Sequence, residues 1–370
     1  MLDRFKIDRK LLRQFDFGAL VVVLIIVAFG CMNIYSATHL RAGNYYLVQQ
    51  LIALIVCLIV VYLLLLVDYT TIKNYIPIIY WVCNILLIVV LFTPARNGAT
   101  GWIGVGNKTF QPSEFAKIAM IIMVAKKLDD LEGNINNVKN FFIVLFYAAV
   151  PMALILKEPD MGMTMVCFFT VLGMFFIAGL DLKVIIGGIS SVIILIVVAW
   201  NSSLMEAYWK VRLTSFLHPE QDSLGAGLQL YNSEIGIGSG GLFGKGFLAG
   251  TQIRGGFIPE NHTDFIFSVV GEEWGLVGAI ILLVLYCILI FKLIKIAKNA
   301  KDVFGRVICA GIIAIFTFLV YQNIGMTIGV APITGVTLPF MSYGGSSMLT
   351  CFISLALVLN IGMRRNKINF

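Results

Sequence analysis

Charge is scarce in this chain. Asp, Glu, Lys and Arg make up 13% of its 370 residues while hydrophobic residues make up 59%, a balance that excludes an ordinary water-soluble domain. Cysteine chemistry is missing as well. There is no CxxC pair, and Cys31, Cys57, Cys83, Cys167, Cys287, Cys309 and Cys351 all fall inside apolar runs, so neither a disulfide framework nor a metal site built on cysteine is expected. The glycine-rich GIGSGGLFGKG (236–246) is not a nucleotide-binding loop: Ser239 stands where the first glycine belongs, and Gly246 follows Lys245 where Ser or Thr is needed. The net charge of +7 would suggest nucleic acid in a soluble protein, but the basic residues cluster at the ends of the apolar runs, where they fix orientation. No nucleic-acid partner is expected.

What the chain has instead is a series of apolar runs, each near the roughly 20 residues that a helix needs to cross a bilayer core. They predict an all-α polytopic membrane protein with about ten transmembrane helices, over 18–36, 46–67, 76–94, 113–127, 140–157, 161–180, 184–201, 265–291, 307–330 and 346–363. The first run is too long for a signal-peptide core, follows a charged segment and lacks a small-residue cleavage site, so it is expected to remain as a helix. With the N-terminus inside, 18 of the 27 Lys and Arg fall on the inner side. This favours both termini in the cytoplasm and a multi-pass protein of the cell (cytoplasmic) membrane. Three outer segments then stand out, 95–117, 202–264 and 331–345. The second is a large extracytoplasmic loop between helices 7 and 8, within a single membrane domain spanning 1–370. A segment that long with no core of its own is functional or disordered. Its Trp209, Phe216, Tyr231, Phe243, Phe247 and Phe257 argue for packing on the membrane face.

Ionisable groups in or beside a span are costly unless paired, so each is a candidate. Glu114 and Lys117, in QPSEFAK, lie three apart on one helical face. An interfacial salt bridge and a lysine held near an anionic ligand both fit, with Ser113 capping the helix after Pro112. Lys157, Glu158 and Asp160 surround a helix break at Pro159, where a charged hairpin turn fits better than a catalytic site. Asp264 directly precedes an apolar helix, and Glu272 and Glu273 lie two turns inside it, where they need partners. Asp264, with Thr263 or His262, is either a helix cap or a carboxylate kept ionised by the helix end and available as a general base. The glycines of 236–246 either leave backbone N–H groups open to an anion or form turns. The stretch 322–347 sets Gln322, Asn323, two prolines and five glycines between apolar spans. It reads as a re-entrant binding segment or as a tightly packed loop.

Four blocks, WIGVGNKTFQPSEFAKIA (102–119), KEPDMG (157–162), the run from GAGLQLYNSEIGIGSGG to PENHTDFIFSVVGEEWG (225–275) and NIGMTIGVAPITGVTLPFMSYGGSS (323–347), resemble the SEDS family, that is RodA, FtsW and SpoVE. The resemblance extends over most of the chain. It implies a ten-helix peptidoglycan glycosyltransferase that joins lipid II, an undecaprenyl-pyrophosphate-linked disaccharide, into glycan strands at the outer membrane face. A class B penicillin-binding protein would be its transpeptidase partner. Matched motif by motif, it implies Asp264 as the catalytic residue and Trp102, Glu114, Lys117 and Asp160 as substrate-binding residues. Lys245 and Arg254 in the third block, and Ser342 and Gly344 in the fourth, complete the candidate substrate-binding set. Two positions depart from the family pattern. Gly101 stands where an arginine commonly precedes the tryptophan, leaving Arg96 and Lys108 as nearby cations, and Met163 stands where threonine is usual. QDSLGAG and FGKGFLAGTQ look more like the RodA branch, which implies cell elongation and its machinery rather than division or sporulation.

Such a reaction is an attack by a sugar hydroxyl on the anomeric carbon of the donor, with inversion. Asp264 is expected as base, and Lys117, with Lys245 or Arg254, at the departing pyrophosphate. No cofactor is certain; a divalent cation, Mg²⁺ or Mn²⁺, could share the second task, although the sequence holds no dedicated metal cage. A lipid II flippase is the main rival reading. It is disfavoured because the candidate groups gather at the outer face and no inverted repeat of broken helices is visible. A non-catalytic scaffold is a second rival.

Overall fold

The computed structural model describes residues 8–93, 101–105, 108–202, 210 and 225–365. Arg96, Trp209 and Phe216 lie outside the described residues. In chain order the helices are α1 Phe17–Ala42, α2 Tyr45–Leu66, α3 Ile76–Val90, α4 Pro112–Asp130, α5 Val138–Lys157, α6 Met161–Ile177, α7 Leu182–Trp200, α8 Ala226–Gly240, α9 Ile266–Lys298, α10 Val303–Thr327 and α11 Gly345–Met363. Between α3 and α4 a small antiparallel hairpin pairs β1 Ile103–Val105 with β2 Lys108–Phe110, Ile103 opposite Phe110.

All but α8 coincide with the apolar runs read from the sequence. Helices α1, α2, α5, α7, α9, α10 and α11 are long and apolar enough to cross a membrane, and α3 and α6 are apolar but shorter. The chain is an all-α polytopic membrane protein. Helix α4 differs from these for a physical reason. It carries Glu114, Lys117, Lys126, Lys127, Asp129 and Asp130, yet every residue from Ala116 to Ala125 is buried. It packs against α3, α5, α6, α10 and α11, so protein surrounds its polar groups. At the rim, α7 buries Ile185 alone among its described side chains, as a helix apolar on all faces does in lipid.

Up-and-down connectivity gives the bundle two ends. At one, acids and bases staple neighbouring elements: Lys292 meets Asp16 at 3.0 Å, Arg364 meets Asp68 at 3.2 Å, and Lys73 pairs with Asp129. Asn360 on α11 donates to the Leu64 and Val67 carbonyls of α2 at 2.6 and 2.7 Å, satisfying groups that the end of a helix leaves open. At the other end lie the hairpin, α8 and the long irregular segment between α10 and α11.

The described part of the long segment, 225–264, is more ordered than its glycines suggest. GIGSG is the last stretch of α8, which lies against α9 and α10; Ser233 donates to the Thr327 carbonyl at 2.8 Å. Leu230, Ile258, Phe265 and Ile333 form a small apolar cluster there. Helix α9 is interrupted at Gly275, whose φ of 65° and ψ of −160° only glycine adopts readily. Residues 241–246 take over the freed backbone groups. Leu276 N–H donates to the Gly241 carbonyl at 2.9 Å and Val277 N–H to that of Leu242 at 3.1 Å; Lys245 and Gly246 N–H donate to Glu272 and Glu273 carbonyls at 3.0 Å each. The break is therefore fully bonded rather than loose.

Candidate active site

Asp264 lies in the turn just before α9. The cap position of α9 is held by Phe265, one residue beyond Asp264. Its position is set through the backbone. Asn323, fully buried near the end of α10, donates from Nδ2 to the Asp264 carbonyl at 2.8 Å and to the Val336 carbonyl at 2.7 Å. Ser342 Oγ donates to the Thr263 carbonyl at 2.7 Å and accepts from Leu338 N–H at 2.8 Å, while Tyr343 N–H donates to the His262 carbonyl at 2.9 Å. The segment between α10 and α11 is thus laced to the turn that carries Asp264, and of the two readings of 322–347 it takes a tightly packed form.

Four consecutive residues of that segment link the scattered motifs. Thr334 meets the start of α6: a Cβ on Gly162 would overlap its carbonyl. Gly335 faces Asp264, whose Oδ2 lies 3.4 Å from where a Cβ would stand. Val336 accepts from Asn323, and Thr337 Oγ1 lies 2.6 Å from Ser347 Oγ in the first turn of α11. Asp160 caps α6, accepting from Met163 N–H at 2.9 Å, and accepts from Gln111 Nε2 at 3.3 Å. Gln111 N–H donates in turn to Ser346 Oγ at 3.3 Å. Gly344 is the cap residue of α11. The N-terminal ends of α4, α6 and α11, and the turn before α9, thereby meet in one layer. Each helix start contributes partial positive charge.

Glu114 and Lys117 pair at 2.6 Å beneath this layer, and Thr350 Oγ1 donates to Glu114 at 2.6 Å. Lys117 is 1% exposed, so here its ammonium is covered. Ser113 does not cap α4: Gln111 is the cap residue, and the Ser113 hydroxyl is buried without a hydrogen-bond partner among the described residues.

Lys245 and Arg254 belong to a neighbouring cluster. Lys245 Nζ meets Glu272 at 2.7 Å and the Thr251 hydroxyl at 2.8 Å. Glu272 also accepts from Thr251 Oγ1 at 3.1 Å and from Gln252 and Ile253 N–H at 2.9 and 3.3 Å, serving as an external cap for the short helix Thr251–Gly255. Glu273 accepts from Ser36 Oγ at 2.5 Å and from Gly250 N–H at 3.4 Å. These are the partners that the two intramembrane glutamates required. Arg254 is exposed on the same short helix. Trp102 opens the β hairpin, partly exposed.

Several residues near the site were not among the candidate site residues read from the sequence. Tyr46, His262 and Tyr343 form a ring cluster with centroids 4.6 to 5.7 Å apart. Burial lowers the His262 pKa, and the nearby Arg41 acts in the same direction against Glu260, which favours the neutral imidazole. Glu158 is buried with neither carboxyl oxygen hydrogen-bonded among the described residues; a Cβ on Gly101 would lie 3.4 Å from Oε2. Burial, reinforced by the Asp160 charge, pushes its pKa up to about 8. Gln111 and Thr350 had no readable signal, since an uncharged side chain at a helix start suits any membrane protein.

The fold and site define a class: a multi-pass protein of the cytoplasmic membrane with a polar layer built from helix starts at one end of the bundle. The model of the FtsW/RodA/SpoVE family of cell cycle proteins matches residues 14–367, and the chain belongs to this family. It is 36% identical over 351 residues to the peptidoglycan glycosyltransferase MrdB of Escherichia coli K12, covering 95% of this chain and 94% of that protein. It is 34% identical to stage V sporulation protein E of Bacillus subtilis 168, covering 94% and 96%. Among solved structures, the Thermus thermophilus rod shape determining protein RodA superimposes with a TM-score of 0.72 at 29% identity over 95% of this chain and 98% of that one. A chain of a peptidoglycan synthase complex that coordinates polymerization and crosslinking superimposes with a TM-score of 0.83 at 30% identity over 95% and 99%.

Proposed function

We propose that the protein is a peptidoglycan glycosyltransferase of the RodA elongation type, polymerising lipid II at the outer face of the cytoplasmic membrane. One observation carries this reading: Thr334 to Thr337 join the Asp264 turn to the starts of α6 and α11 and to Asn323. An attack on a pyrophosphate-linked sugar needs a base near the acceptor hydroxyl and positive potential near the leaving group. In this reading the Asp264 carboxylate takes the hydroxyl proton as the oxygen bonds to the anomeric carbon. The bond from that carbon to the pyrophosphate breaks, with inversion, and the departing anion faces the converging helix starts. Lys117, covered at rest, acts through its field and by holding Glu114. Arg254 remains a candidate contact, whereas Lys245 positions the short helix 251–255 through Glu272.

Among the described residues no group of three His, Cys, Asp or Glu could cage a metal. A Mg²⁺ or Mn²⁺ ion would therefore rest on substrate oxygens as much as on protein, and no step here depends on it. The positive-inside balance of the sequence supports both termini in the cytoplasm and the Asp264 end outside. The resemblance to a chain of a synthase complex supports pairing with a class B penicillin-binding protein transpeptidase.

The test is polymerisation of lipid II by the purified protein with no other glycosyltransferase present. The wild type is expected to make glycan strands and Asp264→Ala none, with both equally folded. Strands from Asp264→Ala at the wild-type rate would refute the base assignment, and lipid II flipping in liposomes without polymer would favour a transporter.

A further inference from the structure

Three rings at the Asp264 turn have no part in the reaction as proposed. Tyr46 lies in the first turn of α2, His262 precedes Asp264 by two residues, and Tyr343 precedes α11 by two. Their centroids stand 4.6 to 5.7 Å apart, and all three residues are partly exposed. Two bonds tie the cluster to the turn: Tyr343 N–H donates to the His262 carbonyl at 2.9 Å, and Ser342 Oγ donates to the Thr263 carbonyl at 2.7 Å. Two residues of backbone span at most about 7 Å, so the cluster begins within that distance of Asp264.

Packing alone does not account for these rings. Where the bundle buries a tyrosine it bonds the hydroxyl: Tyr69 to Asp302 at 2.6 Å, Tyr80 to the Tyr147 carbonyl at 2.9 Å and Tyr286 to the Pro339 carbonyl at 2.7 Å. The Tyr46 and Tyr343 hydroxyls and the His262 ring nitrogens make no hydrogen bond among the described residues. An aromatic belt at the headgroups suits Tyr45, 56% exposed, but the three rings face one another. Two buried amides beside them are also left with an open group. Gln50, one turn past Tyr46 on the same face of α2, donates from Nε2 to the Ser342 carbonyl at 3.1 Å and has no partner for Oε1 among the described residues; Asn261 has none for Nδ2. Each is 1% exposed. Arg41, close enough for its charge to act on His262, is set against Gly256, where a Cβ would overlap its guanidinium. Aromatic faces edged with unbonded hydroxyl and imidazole groups suit a sugar ring, which offers C–H faces to stack and hydroxyls to bond. A lipid tail would leave those polar groups unmet, and a phosphate finds its positive potential at the helix starts instead.

We propose that Tyr46, His262 and Tyr343 form the acceptor sugar subsite, holding the ring whose hydroxyl attacks so that its proton reaches Asp264. The assignment rests on the polymerase reading. The hydroxyl oxygen bonds to the anomeric carbon, its proton passes to Asp264, and the donor's pyrophosphate leaves toward the starts of α4, α6 and α11. The test gives the purified full chain lipid II and a labelled soluble probe, the lipid II disaccharide without pyrophosphate or lipid. Wild type is expected to place label at strand ends, because the probe keeps the attacking hydroxyl and lacks a leaving group. Tyr46→Ala and Tyr343→Ala should each raise the half-saturating probe concentration about tenfold, the worth of one stacked ring, and change kcat far less. Tyr46→Phe, which keeps the ring, should lose less than Tyr46→Ala. Tyr46→Leu, which fills the space without an aromatic face, replaces an Ala variant that fails to fold. Saturation-transfer NMR gives a second readout without turnover: the probe should bind Asp264→Ala as it binds wild type, and Tyr46→Ala about tenfold more weakly. Equal half-saturating concentrations in wild type and the ring variants overturn the proposal. Inhibition by the probe without incorporation also overturns it, by putting the sugar on the donor side. No strands from wild type at all would overturn the polymerase reading itself, and this assignment with it.

Discussion

Helix α4 carries an ion pair near each end, and the two have little in common beyond their length. Glu114 and Lys117 meet at 2.6 Å with side chains 5% and 2% exposed; Lys126 and Asp130 meet at 2.6 Å with side chains 19% and 36% exposed. An exposed pair one helical turn apart is worth only about 0.3–0.5 kcal/mol. A buried pair is different in kind, because removing one partner strands the other charge away from water at a cost of about 3–5 kcal/mol. The same contrast separates the two ends of the molecule. At the end proposed to be inner, Lys73 pairs with Asp129 and Lys292 with Asp16 near solvent, which orientation in a membrane would suffice to explain. At the end proposed to be outer, Glu114, Lys117, Glu158, Glu272 and Glu273 are all buried, and Asn323 holds the Asp264 turn through its carbonyl. Buried charge there follows from fixed geometry, and fixed geometry is what electrostatic catalysis requires.

The sharpest way to break this contrast is at Asp264. Asp264→Ala is expected to lower lipid II polymerisation by about 10² to 10⁴-fold in a protein that still folds, since Asn323 holds the turn through the Asp264 carbonyl, while Lys73→Gln at the inner end leaves the rate unchanged. Strand length and yield on gels, beside a thermal melt, measure both. Next in size is Lys117→Met, expected to destabilise the protein by about 3–5 kcal/mol by leaving Glu114 buried and alone, with much of the loss restored in Glu114→Gln/Lys117→Met. If Lys117→Met melts like wild type but fails to polymerise, Lys117 acts on the ligand and not on the fold.

The helices were legible from the sequence because lipid demands uninterrupted apolar runs, and those runs need no tertiary context to be seen. Lysine and arginine counts carry the proposed sidedness. The chemistry was legible only in part. Asp264, Glu114 and Lys117 announced themselves as charges beside apolar spans, but Asn323 was visible only as a polar oddity near the end of α10, because its task is set by a carbonyl 59 residues away in sequence. Lys245 looked like a free cation beside a glycine loop. Its commitment to Glu272 depends on the break at Gly275, which no local pattern reveals. Ser113 and Asp264 had the composition of helix caps, but the cap positions fall to Gln111 and Phe265, two residues before and one residue after them.

Glu158 tests the outer end by pH. Its proton is held up to about pH 8 in the folded protein against an ordinary value near 4.5, so the folded state binds the extra proton in that window. Stability therefore falls as pH rises from about 4.5 to 8, by at most about 1.4 kcal/mol per pH unit from this group. Glu158→Gln removes the titration. The variant and wild type are expected to melt together at pH 5 and to diverge by pH 8.5 with the variant more stable. A difference independent of pH would mean that Glu158 is ionised throughout and has a cation partner, for which Arg96 is the first candidate to substitute.

The smallest effect belongs at the inner end of α4. Lys126→Gln removes a pair that water already screens, so it is expected to cost no more than about 0.5 kcal/mol, to lose even that in high salt, and to leave polymerisation untouched. Melting at low and high ionic strength measures it. A small, salt-sensitive loss at Lys126 beside a large, salt-insensitive one at Lys117 would show one helix under two electrostatic regimes, set by burial alone because the ion-pair distances are the same. A loss above about 2 kcal/mol at Lys126 would place the inner end under the same constraint as the outer one, and buried charge would no longer distinguish the layer that holds Asp264.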